Sequence, residues 1–187
     1  ETIHDRTIHS LFQSVTTRTA GFNTTDLAAM DESGTAIMII LMLIGGSPGS
    51  TAGGMKTTTF AVLFLSAITV LRRRNDVQCF KRRISDEAVR SAGAVLFMYL
   101  VLFFTSGIII SRVENLPLLT CLFETSSAIG TVGLTLGITS GLSAVSRAIL
   151  MILMFFGRVG GLTLIYAALP SADSQNSRLP LEKISIG

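Results

Sequence analysis

Two five-residue segments carry the chemistry that most needs explaining: Thr19-Ala20-Gly21-Phe22-Asn23 and Thr131-Val132-Gly133-Leu134-Thr135. Both read Thr, small apolar, Gly, large apolar, polar, and they lie 112 residues apart. Neither holds a titratable side chain, so whatever they do is done with the backbone. Glycine reaches conformations closed to other residues, and an extended loop built on it can turn carbonyl oxygens toward one axis. Rings of such carbonyls replace the hydration shell of potassium. The candidate ion ligands are therefore the carbonyls of Thr19, Ala20, Gly21 and Phe22, and of Thr131, Val132, Gly133 and Leu134.

A third segment, GGSPGSTAGGMKTTT (45–59), is rich in Gly, Ser and Thr and contains Lys56. It resembles a phosphate-binding loop of the form G-x-x-x-x-G-K-[ST]. The match fails by one residue, because Gly49 and Gly54 are correctly spaced but Met55 precedes Lys56. No apolar strand ending in Asp offers a magnesium ligand, which argues against an NTPase. Arg158 stands near the middle of an apolar run, 143–169. A central Arg in a membrane helix costs ~2.5–3.5 kcal/mol on insertion scales, so it is expected to have a partner or water. Glu124, on the stretch before the second Thr-x-Gly, is expected to tie its helix to nearby backbone amides. His4 and His9 are five apart, the wrong spacing for two ligands on one helix face, so no metal site is expected there.

These residues need elements to hold them. Each Thr-x-Gly follows a short amphipathic stretch, Thr7 to Thr17 and Leu116 to Ile129, and precedes a long apolar one. Asn115 reads as the cap of the second short helix, with Pro117 in its first turn, where proline is tolerated. The repeated unit is short helix, Thr-x-Gly loop, long helix. A short helix ending inside a membrane points its negative dipole end inward and favours a cation. Non-helical backbone at that depth is allowed only where it lines a cavity.

The membrane follows from where the charges sit. The 187 residues contain 15 Lys+Arg and 12 Asp+Glu, a net charge of +3, and only 14% charged residues, against about 25% in soluble domains. Mean hydropathy is +0.60. Such a chain can bury itself, which excludes disorder, and its two Cys exclude a disulfide scaffold. Ten of the charges fall in 72–90 and seven in 1–35, leaving 36–55, 57–71, 93–111 and 159–172 uncharged. Crossing a ~30 Å hydrocarbon core takes about 20 apolar residues, which 93–111 supplies. The run 36–71 is too long for one bilayer and must break at its Gly-rich centre. The basic block 72–90 reads as a cytoplasmic loop under the positive-inside rule. It lacks the interleaved aromatics of a nucleic-acid patch, so no nucleic acid is expected. Cys79 and Cys121 then lie in different compartments and should not pair. With no Trp, Tyr99 and Tyr166 are too few to form an aromatic belt. The opening ETIHDRTIHSLF carries no signal or initiator Met and reads as the back part of a longer protein.

SVTTRTAGFNTTD (14–26), GGSPGSTAGGMKTTT (45–59), ETSSAIGTVGLTLGIT (124–139) and GRVGGLTL (157–164) resemble, in that order, the Trk/Ktr/HKT potassium transporters, most closely the KtrB branch. The resemblance implies an all-α membrane fold of helix–pore helix–filter loop–helix repeats around one pore. Residues 1–71 would be the third repeat without its first helix: pore helix, filter 19–23, and a broken second helix with a gate loop at 45–59. The cytoplasmic loop 72–90 would follow. The fourth repeat would occupy 91–170, with first helix 93–111, pore helix 116–129, filter 131–135 and second helix 143–169, and 171–187 would be a C-terminal tail.

By the same resemblance, Gly21 and Gly133 are the filter glycines. Asn23 and Thr135 stand where potassium channels carry a second Gly, so fewer well-formed ion sites are expected. Gly45, Gly46, Gly49, Gly53, Gly54 and Lys56 fall in the gate loop, Lys56 reaching pore water or the interface. Arg158 opposes that loop from beneath the filter. The implied function is potassium uptake across the cell membrane, without enzymatic activity. A secondary transporter with broken helices remains the alternative. The implied partners are a second copy, a cytoplasmic nucleotide-binding ring of KtrA type and the bilayer. Potassium is the implied ion, sodium an implied activator, and no organic cofactor is expected.

Overall fold

The computed structural model describes residues 3–160 except 75 and 81, and within them the chain is mostly helical. The tail 171–187, Tyr166, and residues 161–169 of the expected last helix lie outside the described residues. In order come α1 (Ile3–Thr16), a 3-10 turn (Leu27–Ala29), α2 (Glu32–Leu43) and α3 (Thr57–Leu71). Then follow β1 (Gln78–Cys79), β2 (Arg82–Arg83), α4 (Asp86–Glu114), α5 (Leu118–Ile129), a 3-10 turn (Thr139–Gly141) and α6 (Ala144–Val159).

The caps explain the boundaries. Asp31 accepts from Gly34 N at 3.2 Å to start α2, and the bonds from Ser33 and Gly34 hold its carboxyl below the usual carboxylate range. Ser85 accepts from Ala88 N at 3.3 Å to start α4, and Ser143 does the same for α6 from Ser146 N at 3.4 Å. Helix α4 is longer than the expected 93–111, because Ser85, Asp86 and Glu87 form a favourable N-terminal turn. It takes 86–90 from the basic loop. Much of what remains of that loop folds as an antiparallel hairpin pairing Gln78 with Arg83 and Cys79 with Arg82, a small departure from an all-α fold.

Asn115 does not cap α5. It ends α4 at φ +53, a left-handed position that Asn tolerates, and Pro117 takes the N-cap place instead. Helix α6 stops at Val159 before Gly160 at φ +86. Arg158 therefore sits in the last turn of α6. The apolar run 36–71 does break, but the irregular segment runs from Ile44 to Lys56, and Thr57, Thr58 and Thr59 already belong to α3.

Helix α5 is the hub, packed by α2, α4 and α6, while α3 lies on α4. Every residue from Phe123 to Ile129 is buried. Two of its buried hydroxyls are satisfied within the helix, Ser126 Oγ donating to Phe123 O at 2.7 Å and Thr125 Oγ1 to Leu122 O at 3.1 Å. Apolar side chains such as Phe97, Phe104, Met151 and Phe155 face outward on α4 and α6. Lipid is as apolar as leucine, so close packing rather than burial must hold such helices together. Small residues accordingly mark the crossings. A Cβ on Gly157 would overlap the Ile129 carbonyl, and one on Gly107 would overlap Leu122. Only α4 is both long and apolar enough to cross a bilayer by itself among the described residues; α2, α3 and α5 are shorter apolar helices.

Candidate functional site

Both Thr-x-Gly segments leave the C-terminal end of a short helix, α1 or α5. In each, the Thr and the Gly have positive φ: Thr19 +67° and Gly21 +72°, Thr131 +51° and Gly133 +93°. The residues between them do not. For a β-branched residue this is a true outlier, costing on the order of 1–3 kcal/mol, and it occurs at the same place in both units. The N–H groups point back to the helices. Ala20 N and Gly21 N donate to Thr16 O at 3.1 and 3.2 Å, and Val132 N donates to Ser127 O at 2.9 Å. Gly133 N donates to Ser127 Oγ at 3.2 Å. Because the peptide unit is planar and trans, each carbonyl points opposite the N–H of the next residue. The carbonyls of Thr19, Ala20, Thr131 and Val132 are therefore directed away from the helix ends. Among the described residues no donor is bonded to the carbonyl oxygens of 19–21 or 131–133. Phe22 O differs, since it accepts from Thr16 Oγ1 at 2.7 Å.

The two segments lie against each other. Thr19 Oγ1 donates to Gly130 O at 3.3 Å, and a Cβ on Gly21 would overlap the Val132 carbonyl oxygen. Each short helix also anchors the chain beyond its loop. Gln13 Nε2 donates to Thr25 Oγ1 at 2.7 Å. Glu124, 4% exposed, accepts from Leu136 N at 3.1 Å and Thr139 Oγ1 at 2.8 Å, and also from Thr135 Oγ1. Three donors offset the cost of burying a carboxylate.

The segment 44–56 is pinched at its neck, Gly45 N donating to Met55 O at 2.7 Å and Thr57 N to Gly46 O at 3.2 Å. Ser47 to Thr51 are exposed, whereas Gly53, Gly54 and Met55 are buried. Gly54 N donates to Gly157 O at 3.1 Å, and Gly53 N to Thr131 Oγ1 at 3.1 Å. Between this loop and the end of α6 is a cavity of 330 Å³, lined by Thr51, Lys56 and Arg158 among others.

A family model described as TrkH, cation transport protein, matches residues 2–177. The chain belongs to this family. The Ktr system potassium uptake protein D of Bacillus subtilis is 39% identical over 184 residues, 98% of this chain. The Ktr system potassium uptake protein B of the same organism is 38% identical over 185 residues, 99% of this chain. The chain spans 41% of the length of each of these relatives. A crystal structure of the potassium transporter TrkH from Vibrio parahaemolyticus has a similar fold, with a TM-score of 0.74 at 23% identity, over 90% of this chain and 38% of that one. Membership in the TrkH family places this chain in a family described as cation transport proteins.

In this TrkH-family chain three cationic side chains donate to carbonyls of the loop, and one of them was not singled out by sequence reading. Arg158 Nη1 donates to Thr51 O. Lys56 Nζ does not reach outward but folds back on Ser50 O at 3.3 Å and on Ala52 O, which also leaves it no resemblance to a phosphate-binding lysine. The third is Arg18, inside the TRTAGF motif. Its Nη1 donates to Ile44 O at 2.7 Å and more weakly to Gly45 O at 3.4 Å, capping the broken end of α2 with positive charge. Gln13 was missed too, because its partner Thr25 is visible only once α1 is placed. The described residues contain no His/Cys/Asp/Glu cluster able to hold a metal, and Cys79 and Cys121 are free.

Proposed function

We propose that this chain is the back part of a potassium-uptake protein, its third and fourth pore repeats. The observation that carries the reading is the pair of Thr-x-Gly segments in contact, with carbonyls of both turned away from their helices and left without donors among the described residues. Potassium would be held by the carbonyls of Thr19 to Phe22 and Thr131 to Leu134, although the Phe22 oxygen is already engaged by Thr16. The contact between the segments also favours a continuous pore over an alternating-access transporter, whose broken helices need not bring two such loops together.

The loop 44–56 serves as the gate. It sits beneath the filter, seated on Thr131, Gly130 and Gly157. Gly45, Gly46, Gly49, Gly53 and Gly54 let it pack closely and change shape, while Lys56 and Arg158 hold its turn by its own carbonyls. Positive charge from Arg158 and Arg18 beside the path raises a barrier to potassium while the loop is seated. The hairpin loop between α3 and α4 faces the cytoplasm of a cell whose plasma membrane the protein spans. It works as a homodimer with a cytoplasmic nucleotide-binding ring of KtrA type, in keeping with relatives named for a Ktr system, and sodium acts as activator.

Uptake of potassium by transport-deficient cells expressing the whole transporter, with and without sodium, tests this reading. Potassium-dependent growth restored by the wild type and lost with Gly21→Ser supports it. Growth restored equally by both would end it.

A further inference from the structure

The two filter threonines are equivalent in sequence and in backbone, yet their hydroxyls are used differently. Thr19 Oγ1 bonds the neighbouring segment at Gly130 O. Thr131 Oγ1 instead accepts the N–H of Gly53 from the loop. That contact is tight, since a Cβ on Gly53 would overlap Oγ1, Cγ2 and Cβ of Thr131. Next to it, a Cβ on Gly54 would sit 3.3 Å from Gly130 Cα. Gly53 and Gly54 are buried while the apex Ser47 to Thr51 is exposed. The loop therefore presses on the one residue of this segment whose backbone is least comfortable, a β-branched side chain at φ +51. Such conformations persist only where their surroundings over-determine them, and on its loop side Thr131 is determined by Gly53.

We propose that the loop is a support of the filter as well as its obstacle. Gly53 N–H holds the Thr131 side chain, and with it the left-handed backbone that aims the Thr131 and Val132 carbonyls. When the loop leaves its seat, that segment relaxes and discriminates less between potassium and sodium. The coupling is reciprocal: an ion that favours the ordered carbonyls favours the seated loop by the same factor. This inference rests on the filter reading above and adds to it that Gly53 and Thr131 are positioning residues.

The test uses the whole transporter in proteoliposomes, comparing half-saturating potassium and sodium concentrations. With the loop intact, Thr131→Val, which removes the acceptor at nearly constant shape, should lower the preference for potassium by about two- to tenfold, the worth of one net hydrogen bond. Thr131→Ser, which keeps the acceptor, should stay near wild type. In protein lacking residues 46–54 the preference is already lowered, and Thr131→Val should change it no further. Equal effects of Thr131→Val in both backgrounds, or no effect in either, would overturn the proposal. A second measurement needs no variant. Amide hydrogen exchange of the peptide containing Gly53 should be slower in potassium than in sodium, and equal exchange in the two would also overturn it. If Gly21→Ser leaves potassium preference untouched, the filter reading itself fails. If Gly21→Ser alters it while Thr131→Val does not, only the support role falls.

Discussion

Replacing Gly21 by alanine tests the geometry of the paired segments with a single added carbon. Two costs are built into the position. At φ +72 an L-residue loses about 1–2 kcal/mol relative to glycine. The added Cβ also overlaps the Val132 carbonyl oxygen. Carbon contacts sit near 3.5–4.0 Å, so relief needs a displacement on the order of an ångström. Val132 has little freedom to absorb it elsewhere: its N–H is bonded to Ser127 O and its side chain is buried at 5% exposure. The carbonyl must therefore swing. If it ligates potassium, the loss resembles that of a hydrogen bond to a charged group, about 1.5–3 kcal/mol, or roughly 10- to 150-fold in affinity at 1.4 kcal/mol per decade. Half-saturation for potassium uptake should rise by at least about tenfold, with sodium competing better than in the wild type. A variant made at normal abundance with unchanged potassium half-saturation would refute the reasoning, because the overlap cannot be relieved without moving that oxygen.

The same contacts support further expectations. Glu124→Leu leaves the Leu136 amide and the Thr135 and Thr139 hydroxyls without their acceptor, so thermal unfolding should move down by about 2–4 kcal/mol of stability; an unchanged melting temperature would contradict that anchor. Gly157→Val forces α6 off the Ile129 carbonyl and should cost about 1–3 kcal/mol or more, seen as reduced abundance and a lower melting temperature. Removing 46–54 should raise potassium flux at normal expression, and an equal or lower rate would count against the gate. Arg18→Gln should loosen the α2 end and raise basal flux in the same assay, while unaltered flux would make the Arg18 contact merely structural.

The local features were readable from the chain, and the distant ones were not. The Thr-x-Gly loops depend on five consecutive residues, so their repetition revealed them, and positive φ falls at the expected Gly but also at Thr19 and Thr131, which the residue types did not signal. The break in 36–71 was likewise carried by its own glycines. Helix ends were less legible. Asn115 can cap a helix start or close a helix in the left-handed region, and only the reach of α4 decides between them. Arg158 looked central because the apolar run continues past it, whereas Gly160 lets the helix stop. Partnerships across the fold carried no local signal at all. Arg18 finds Ile44 26 residues away, and Gly53 finds Thr131 78 residues away. Each depends on the two units packing together.

The central claim is that backbone carbonyls of the two Thr-x-Gly segments hold the transported ion. Anomalous scattering from rubidium or thallium bound to the whole transporter tests it most directly. The account predicts ion peaks on one axis flanked by 19–21 and 131–133, within coordinating distance of their carbonyl oxygens, and weakened in Gly21→Ala. Peaks confined to other sites, with none at these carbonyls, would contradict it.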